Sequence, residues 1–533
     1  MSIDIGRTGG QTDGSELPLG LVLLAGAVSA AVLLPLLWLV GMAGNVGQAR
    51  ALDLLTSART IQVLLNSALL VVGVTGASIL LAVPLAYLTV RTDVPFRRFF
   101  TIAVSLPLVI PSWIGAFAYV SAFGPRGELQ QLLAPLGVQS LPEIYGFEGA
   151  LVVLTLYTYP YVYITTRASL KSLDTTLVDA ARTLEHSRWE AFKRVTLPQI
   201  QPAVAAGSLL VALYALSDFG TPATMQYDVF TRVIYVEQSI GRDYASMLSL
   251  LLVAGTLVIL AVESRIRGEE RTAGRQGGRT GDRVRLGRWR WPAMLFPALV
   301  AVLALVVPLG ILMLWLVGGG ADYATTLQFE FGYVTNSIYV AALAALAATL
   351  AGLPIAYLAA RHDARLTAAY ERLSYVGYAI PGVVIGFAIV YFGSQYATPL
   401  YQTIPLLVFA YVVRFLPQSV GSTRASFLQV NPQLPEAART LGRSSIAAFR
   451  SVTLPLIAPG LLGGAALVFL TTMKELPATL LLRPIGFQTL STFIWDAQAA
   501  GHFGSAAVPA LILLVVSGLS MLVILSREGY DVR

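Results

Sequence analysis

Residues 66–93 read NSALLVVGVTGASILLAVPLAYLTVRTD, and residues 336–363 read NSIYVAALAALAATLAGLPIAYLAARHD. Asn66, Ser67, Pro84, Ala86, Tyr87, Leu88, Arg91 and Asp93 recur 270 positions later. The Ile110-Pro111 pair recurs as Ile380-Pro381. Further along, the offset becomes 257: Thr-Arg-Ala-Ser at 166–169 matches 423–426, and Pro160 matches Pro417. Self-similarity over half a chain sets the architecture before any local detail. Each of these stretches is apolar for more than 20 residues, about what a helix needs to cross a bilayer.

Composition agrees. The chain is 56% hydrophobic and 12% charged, with mean hydropathy +0.70, against roughly 25% charged residues in soluble domains. Twelve apolar windows are long enough to span, near 20–43, 63–90, 100–123, 149–166, 200–217, 244–263, 292–317, 336–360, 373–393, 404–422, 457–473 and 505–525. With the N-terminus inside, 28 Lys and Arg fall on the cytosolic side, 7 outside, and Arg414 within a span. That asymmetry is the positive-inside rule. The first apolar run is longer than a signal peptide's and reads as a retained helix. Both termini are expected to be cytosolic.

Six spans per half keep both halves in one orientation, so the repeats are parallel, and a path between them is the natural inference. The expected organisation is a cytosolic tail at 1–19, a first half at 20–263, a linker at 264–290 and a second half at 291–533. The linker holds nine Arg, six Gly and three acids. It reads as a flexible cytosolic tether that contacts lipid headgroups at most as a side effect. No aromatic is interleaved except Trp289 and Trp291, which sit where a membrane-interface belt would place them, so no nucleic-acid site is expected.

Several chemistries are excluded. There is no cysteine, and His186, His362 and His502 lie far apart, so no His- or Cys-rich metal site is expected and metal ligands stay unassigned. A P-loop needs a Gly-Lys pair to reach phosphates, and the chain has none. No intrinsic cofactor and no enzymatic activity of its own are expected.

Two polar stretches interrupt the apolar pattern at equivalent places: DAARTLEHSRWEAFKRVTLP at 179–198 and EAARTLGRSSIAAFRSVTLP at 436–455. Each starts with an acid and two alanines, suiting a helix start. In the second, Gly442 ends that helix, a short amphipathic segment follows, and Leu454-Pro455 leads into the next span. Physics alone leaves two readings, a docking elbow for another protein or an amphipathic helix lying on lipid.

The pattern Glu-Ala-Ala, Gly six residues on, then Leu-Pro, resembles the EAA loop of the binding-protein-dependent ABC importer permeases. The resemblance implies an all-α type I permease fold with two six-helix repeats. It implies two cytosolic ATPase copies, which bind ATP and Mg, docked at Glu436, Ala437, Ala438, Gly442 and Pro455, and at Asp179, Ala180, Ala181 and Pro198. The first loop departs from the pattern with Asp179 for Glu and Glu185 for Gly. It also implies an extracytoplasmic binding protein and a bacterial or archaeal cytoplasmic membrane.

Charges at span ends mark a candidate gate. Lys474 and Glu475 precede Pro477, and Asp218 aligns with Glu475. Charges at such depth usually face a cavity or a protein interface, or they pair with each other or snorkel. Arg414, aligned with Tyr157, suggests a pathway, an internal ion pair or snorkelling. KELPATLLLRP with the following GFQTL and Trp495, and SDFG followed by YDVFTRVIY, are similar to the fused ferric-iron permeases of the Fbp/Sfu type. Thiamine, polyamine and phosphonate permeases share parts of this layout, and an ion-coupled secondary transporter is the distant alternative.

Overall fold

The computed structural model describes residues 18–124, 127–138, 140–173, 187–270, 284–318 and 328–527. Every predicted apolar window is helical. Eight helices meet the length and hydropathy of a membrane span: Leu19–Gly44, Ala58–Arg91, Phe192–Ser217, Arg242–Val262, Gly287–Val317, Gly332–Arg361, Ile404–Gln429 and Ser445–Met473. Helices Phe147–Ser172 and Phe503–Arg527 occupy the two remaining straight windows without meeting that test, so the described residues give eight spans, or ten with each bent pair counted as one, against the twelve expected.

The windows at 100–123 and 373–393 are not straight spans. Arg97–Val109 meets Ser112–Phe123 at 96°, and Arg365–Ala379 meets Gly382–Tyr396 at 100°. The breaks fall at Pro111 and Pro381, which N-cap the second helix of each pair with φ near −58°. A proline lacks the N–H that a continuous helix would use there and disfavours helical geometry in the residue before it.

Helix directions follow from specific contacts. Arg91, at the end of Ala58–Arg91, donates to Leu170 O at 2.8 Å at the end of Phe147–Ser172. Gly73 lies against Phe147 and Leu151 nearer the other end. These helices therefore run parallel, and the bent pair between them is the return crossing. The second half repeats the plan: Arg361 donates to Val430 O at 2.9 Å, and Gly352 sits against Ser419 and Val420. Equivalent glycines, Gly207 and Gly464, let the next helix approach closely, Gly207 beside Val162 and Thr165, Gly464 beside Ser419 and Ser422. Small residues at crossings are how membrane helices gain packing.

The two sequence halves interleave. Helix Leu19–Gly44 packs on the second half, with Gly26 against Tyr370, and Trp38 against Tyr396 at 4.7 Å between rings. Just beyond it, Arg50 pairs with Asp243 of the first half. The corresponding helix of the second half packs on the first: Tyr119 donates to Leu303 O at 2.7 Å and Phe117 meets Trp315 at 4.9 Å. These exchanged helices align the halves end to end. Arg91, Pro198, Val284, Arg361, Val430 and Pro455 consequently gather at one end of the bundle, and Arg50, Asp243 and Tyr396 at the other.

Candidate functional site

At the end of the bundle that carries Arg91 and Arg361, the second polar stretch forms the expected elbow. Helix Gln433–Thr440 carries Glu436 in its first turn, where an acid suits the helix dipole. Gly442 adopts φ +87°, and the chain closes with Gly442 N on Arg439 O at 3.0 Å and Arg443 N on Ala438 O at 3.1 Å. Nothing lies within 4 Å of where a Gly442 side chain would start. The glycine is thus required by backbone geometry and not by crowding. Ser444 then caps helix Ser445–Ala448 through Ala447 N at 3.2 Å. A π-turn at Phe449–Thr453 leads into helix Leu454–Met473, with Pro455 in its first turn.

None of helix Gln433–Thr440 is buried. Leu441 is 85% exposed and Ile446 68%. Ala437 and Ala438 add little bulk, so the elbow presents an uncovered apolar corner framed by Glu436 and Arg439.

In the first stretch, Asp179, Ala180, Ala181 and Glu185 lie outside the described residues. From Ser187 on, the two copies agree. Ser187 and Glu190 form a reciprocal cap, Ser187 N on Glu190 Oε2 at 2.9 Å and Glu190 N on Ser187 Oγ at 3.2 Å, the capping-box arrangement. A π-turn at Phe192–Thr196 and Pro198 in the first turn of Leu197–Ser217 repeat the second copy.

The charged residues converge near the contact between halves. Arg414 pairs with Glu475, whose side chain is 5% exposed. Glu475 Oε1 also accepts from Ala478 N at 3.1 Å. Lys474, next in sequence to Glu475, has no ion pair among the described residues and is not its partner. Asp218, equivalent to Glu475, is held by neutral donors, Ser112 Oγ at 2.9 Å and Thr221 N at 2.9 Å. Arg414 also lies within electrostatic reach of Asp218. Next to Asp218, Phe219 packs on Tyr235 at 4.7 Å and on Trp495 of the other half at 5.2 Å. Aromatic side chains of the two halves thus meet beside these carboxylates.

Sequence reading missed Ser112 and Gly382, which are equivalent and follow the repeated prolines. A Cβ on Gly382 would collide with Arg414 Nη1 and lie 2.6 Å from Glu475 Oε1. Glycine there makes room for the ion pair. In the first half, where Tyr157 replaces Arg414, serine takes that place and holds Asp218. The change of Pro-Ser to Pro-Gly beside a Tyr-to-Arg change was the available signal. Among the described residues no group of three His, Asp or Glu is placed to hold a metal ion.

Two repeats, an exposed elbow described in the second and a charged contact near the meeting of the halves are the plan of a transport permease. The chain belongs to the family described as the binding-protein-dependent transport system inner membrane component, whose model matches residues 75–264 and 352–527. It is 32% identical over 509 residues to the Fe(3+)-transport system permease protein FbpB 2 of Haemophilus influenzae, covering 94% of this chain and 97% of that one. It is 27% identical to the probable ABC transporter permease protein y4fN of Sinorhizobium fredii, over 96% of this chain and 95% of that one. The molybdenum transport system permease protein ModB of Mycobacterium tuberculosis is 31% identical over 43% of this chain and 88% of its own length. The chain is an ABC importer permease of fused, two-repeat form.

Proposed function

We propose that this permease conducts ferric iron across a cytoplasmic membrane, delivered by an extracytoplasmic binding protein and driven by two copies of a cytosolic ABC ATPase. The observation that carries the ATPase assignment is the placement of both elbow exits, Pro198 and Pro455, at the bundle end where the arginine-rich linker emerges at Val284. Two sockets on one face fit a pair of ATPases, and the positive-inside rule makes that face, and both termini, cytosolic. Of the two named relatives that span nearly the whole chain, the more similar is named an Fe(3+)-transport system permease, which supports the cargo.

In this reading Glu436, Ala437, Ala438 and Gly442 dock one ATPase, and Asp179, Ala180 and Ala181 the other. ATP and Mg are bound by those partners. Asp218, Arg414, Glu475 and Lys474 flank the gate. ATP-driven closure of the ATPases moves the elbows, and the seam at Phe219 and Trp495 opens to admit cargo. ATP binding thereby favours the outward-open population through its differential affinity for that state.

The test is co-purification of the chain with its ATPase, followed by radiolabelled ferric uptake in cells lacking other iron importers. The reading expects a complex with two ATPases per chain, and uptake lost on deletion. Unchanged uptake in the deletion strain would remove iron as the cargo. A chain that transports without an ATPase would remove the importer class in favour of an ion-coupled transporter.

A further inference from the structure

The repeated motif at 84–93 and 354–363 has a role that the docking elbows and the gate leave unexplained. Arg91 and Arg361 end the long core helices Ala58–Arg91 and Gly332–Arg361. Neither forms a salt bridge among the described residues. Arg91 Nη2 donates to Leu170 O at 2.8 Å and Leu173 O at 3.3 Å. Arg361 Nη2 donates to Val430 O at 2.9 Å. Leu170 lies in the last turn of Phe147–Ser172, and Leu173 and Val430 are the capping residues just past the ends of Phe147–Ser172 and Ile404–Gln429, the helices from which the two polar loops leave.

The carbonyls of a helix's last turn have no partner within the helix. A guanidinium carries several donors in a fixed plane, so it holds them with direction as well as charge. Each arginine therefore ties the root of a docking elbow to a core helix that runs parallel to the elbow's own helix. The rest of the motif serves the same junction. Tyr87 packs edge-on against Phe192, on the exit side of the first loop, at 5.3 Å. Tyr357 packs against Phe427, on the entry side of the second, at 5.5 Å. Pro84 and Pro354 sit inside the core helices, seven residues before the arginines. Each removes one helical hydrogen bond and creates a point where the helix can bend.

We propose that Arg91 and Arg361 are positioning residues that pass movement of the docking elbows to the long core helices they end. This rests on the reading of the elbows as ATPase sockets. The two joints are unequal. The first is strapped by the linker, with Val284 N on Arg91 O at 2.8 Å, Asp93 N on Val284 O at 3.3 Å and Leu286 N on Asp93 Oδ1 at 2.8 Å. No such strap meets Arg361 among the described residues, where the other ties are Tyr357 on Phe427 and a long bond from Arg424 Nε to Ala359 O at 3.5 Å.

The absence of native cysteine makes single-cysteine spin labels clean reporters. One label at Gln433→Cys, exposed at the start of the elbow helix, reads the elbow, and another at Leu350→Cys, 62% exposed on helix Gly332–Arg361, reads the core. In the full permease–ATPase complex, ATP should change both spectra. With Arg361→Ala the complex should still assemble and hydrolyse ATP, and the Gln433 label should still respond. The Leu350 response should vanish, and ferric uptake per ATP should fall about tenfold, a loss of about 1.4 kcal/mol of coupling. Arg361→Lys, which needs to reach only one carbonyl, should restore more than Arg91→Lys, which must serve two.

An unchanged Leu350 response in Arg361→Ala overturns the proposal. So does loss of the complex in Arg361→Ala without rescue by lysine, the mark of a merely structural cap. A wild-type complex that hydrolyses ATP and moves both labels but takes up no ferric iron leaves the joint supported and removes only the cargo. A wild-type chain that binds no ATPase removes the socket reading, and the joint with it.

Discussion

Arg414 and Glu475 form an ion pair at the seam between the halves, and the repeat offers no copy of it. The equivalent positions are Tyr157 and Asp218, and the Tyr157 hydroxyl is buried without a partner among the described residues. A duplicated scaffold thus carries one charge-compensated carboxylate and one held by hydroxyl and amide donors. In the proposed mechanism the seam parts, which makes the pair that differs between halves the place to test it.

Breaking that pair on one side is expected to be costly. Arg414→Met leaves Glu475 buried and uncompensated, a loss of about 3–5 kcal/mol for such groups. Thermal unfolding in detergent should show it. Arg414→Met combined with Glu475→Gln should recover most of the stability. If the double variant is as unstable as Arg414→Met alone, the pair is not the source of the cost.

Gly382→Ala should act through the same pair. The added methyl collides with the guanidinium and crowds Glu475 Oε1, an overpacking change worth about 1–3 kcal/mol. In the first half, Ser112→Ala removes one hydrogen bond to Asp218 and should cost about 1.5–3 kcal/mol, the range for bonds to charged groups. A Gly382→Ala protein as stable as wild type would show that the seam relaxes freely there.

Gly442→Ala should weaken the elbow without touching the core. Its φ of +87° is strained for any residue with a side chain, at about 1–2 kcal/mol. No neighbour compensates or clashes. The expected result is an unchanged melting temperature for the bundle and reduced binding of the ATPase in pull-down. Equal binding would mean that the elbow adopts another shape when docked.

Leu441→Asp and Ile446→Asp address the apolar corner directly. Both side chains are largely exposed, so folding should be unaffected. If an ATPase covers them, each should cost binding by about tenfold or more, as loss of a buried interface anchor does. Retained binding in both variants would move the docking surface elsewhere.

Much of this arrangement was legible in the sequence. Hydropathy found the apolar segments, ten of them straight helices and two of them bent pairs, and the 270 and 257 offsets placed the equivalences. Gly442 and Pro455 marked the elbow because turn geometry and helix starts restrict residue choice so strongly. Interleaving of the halves was not legible. A helix buried against its own half and one buried against the other look alike in apolar periodicity, and lipid-facing residues are apolar too. The right-angle bends were half visible, as repeated prolines within windows that hydropathy reads as continuous. Glu475 next to Lys474 invited pairing between neighbours, but Glu475 turns to Arg414, sixty-one residues away. Only the fold brings those two residues together.

The most direct measurement is ferric uptake into proteoliposomes holding this chain with its ATPase and its loaded binding protein, with and without ATP, for wild type and Glu436→Ala. The account predicts uptake that requires ATP and falls at least about tenfold in Glu436→Ala, with the bundle still folded. Uptake that proceeds without ATP, or that is unchanged in Glu436→Ala, would contradict it.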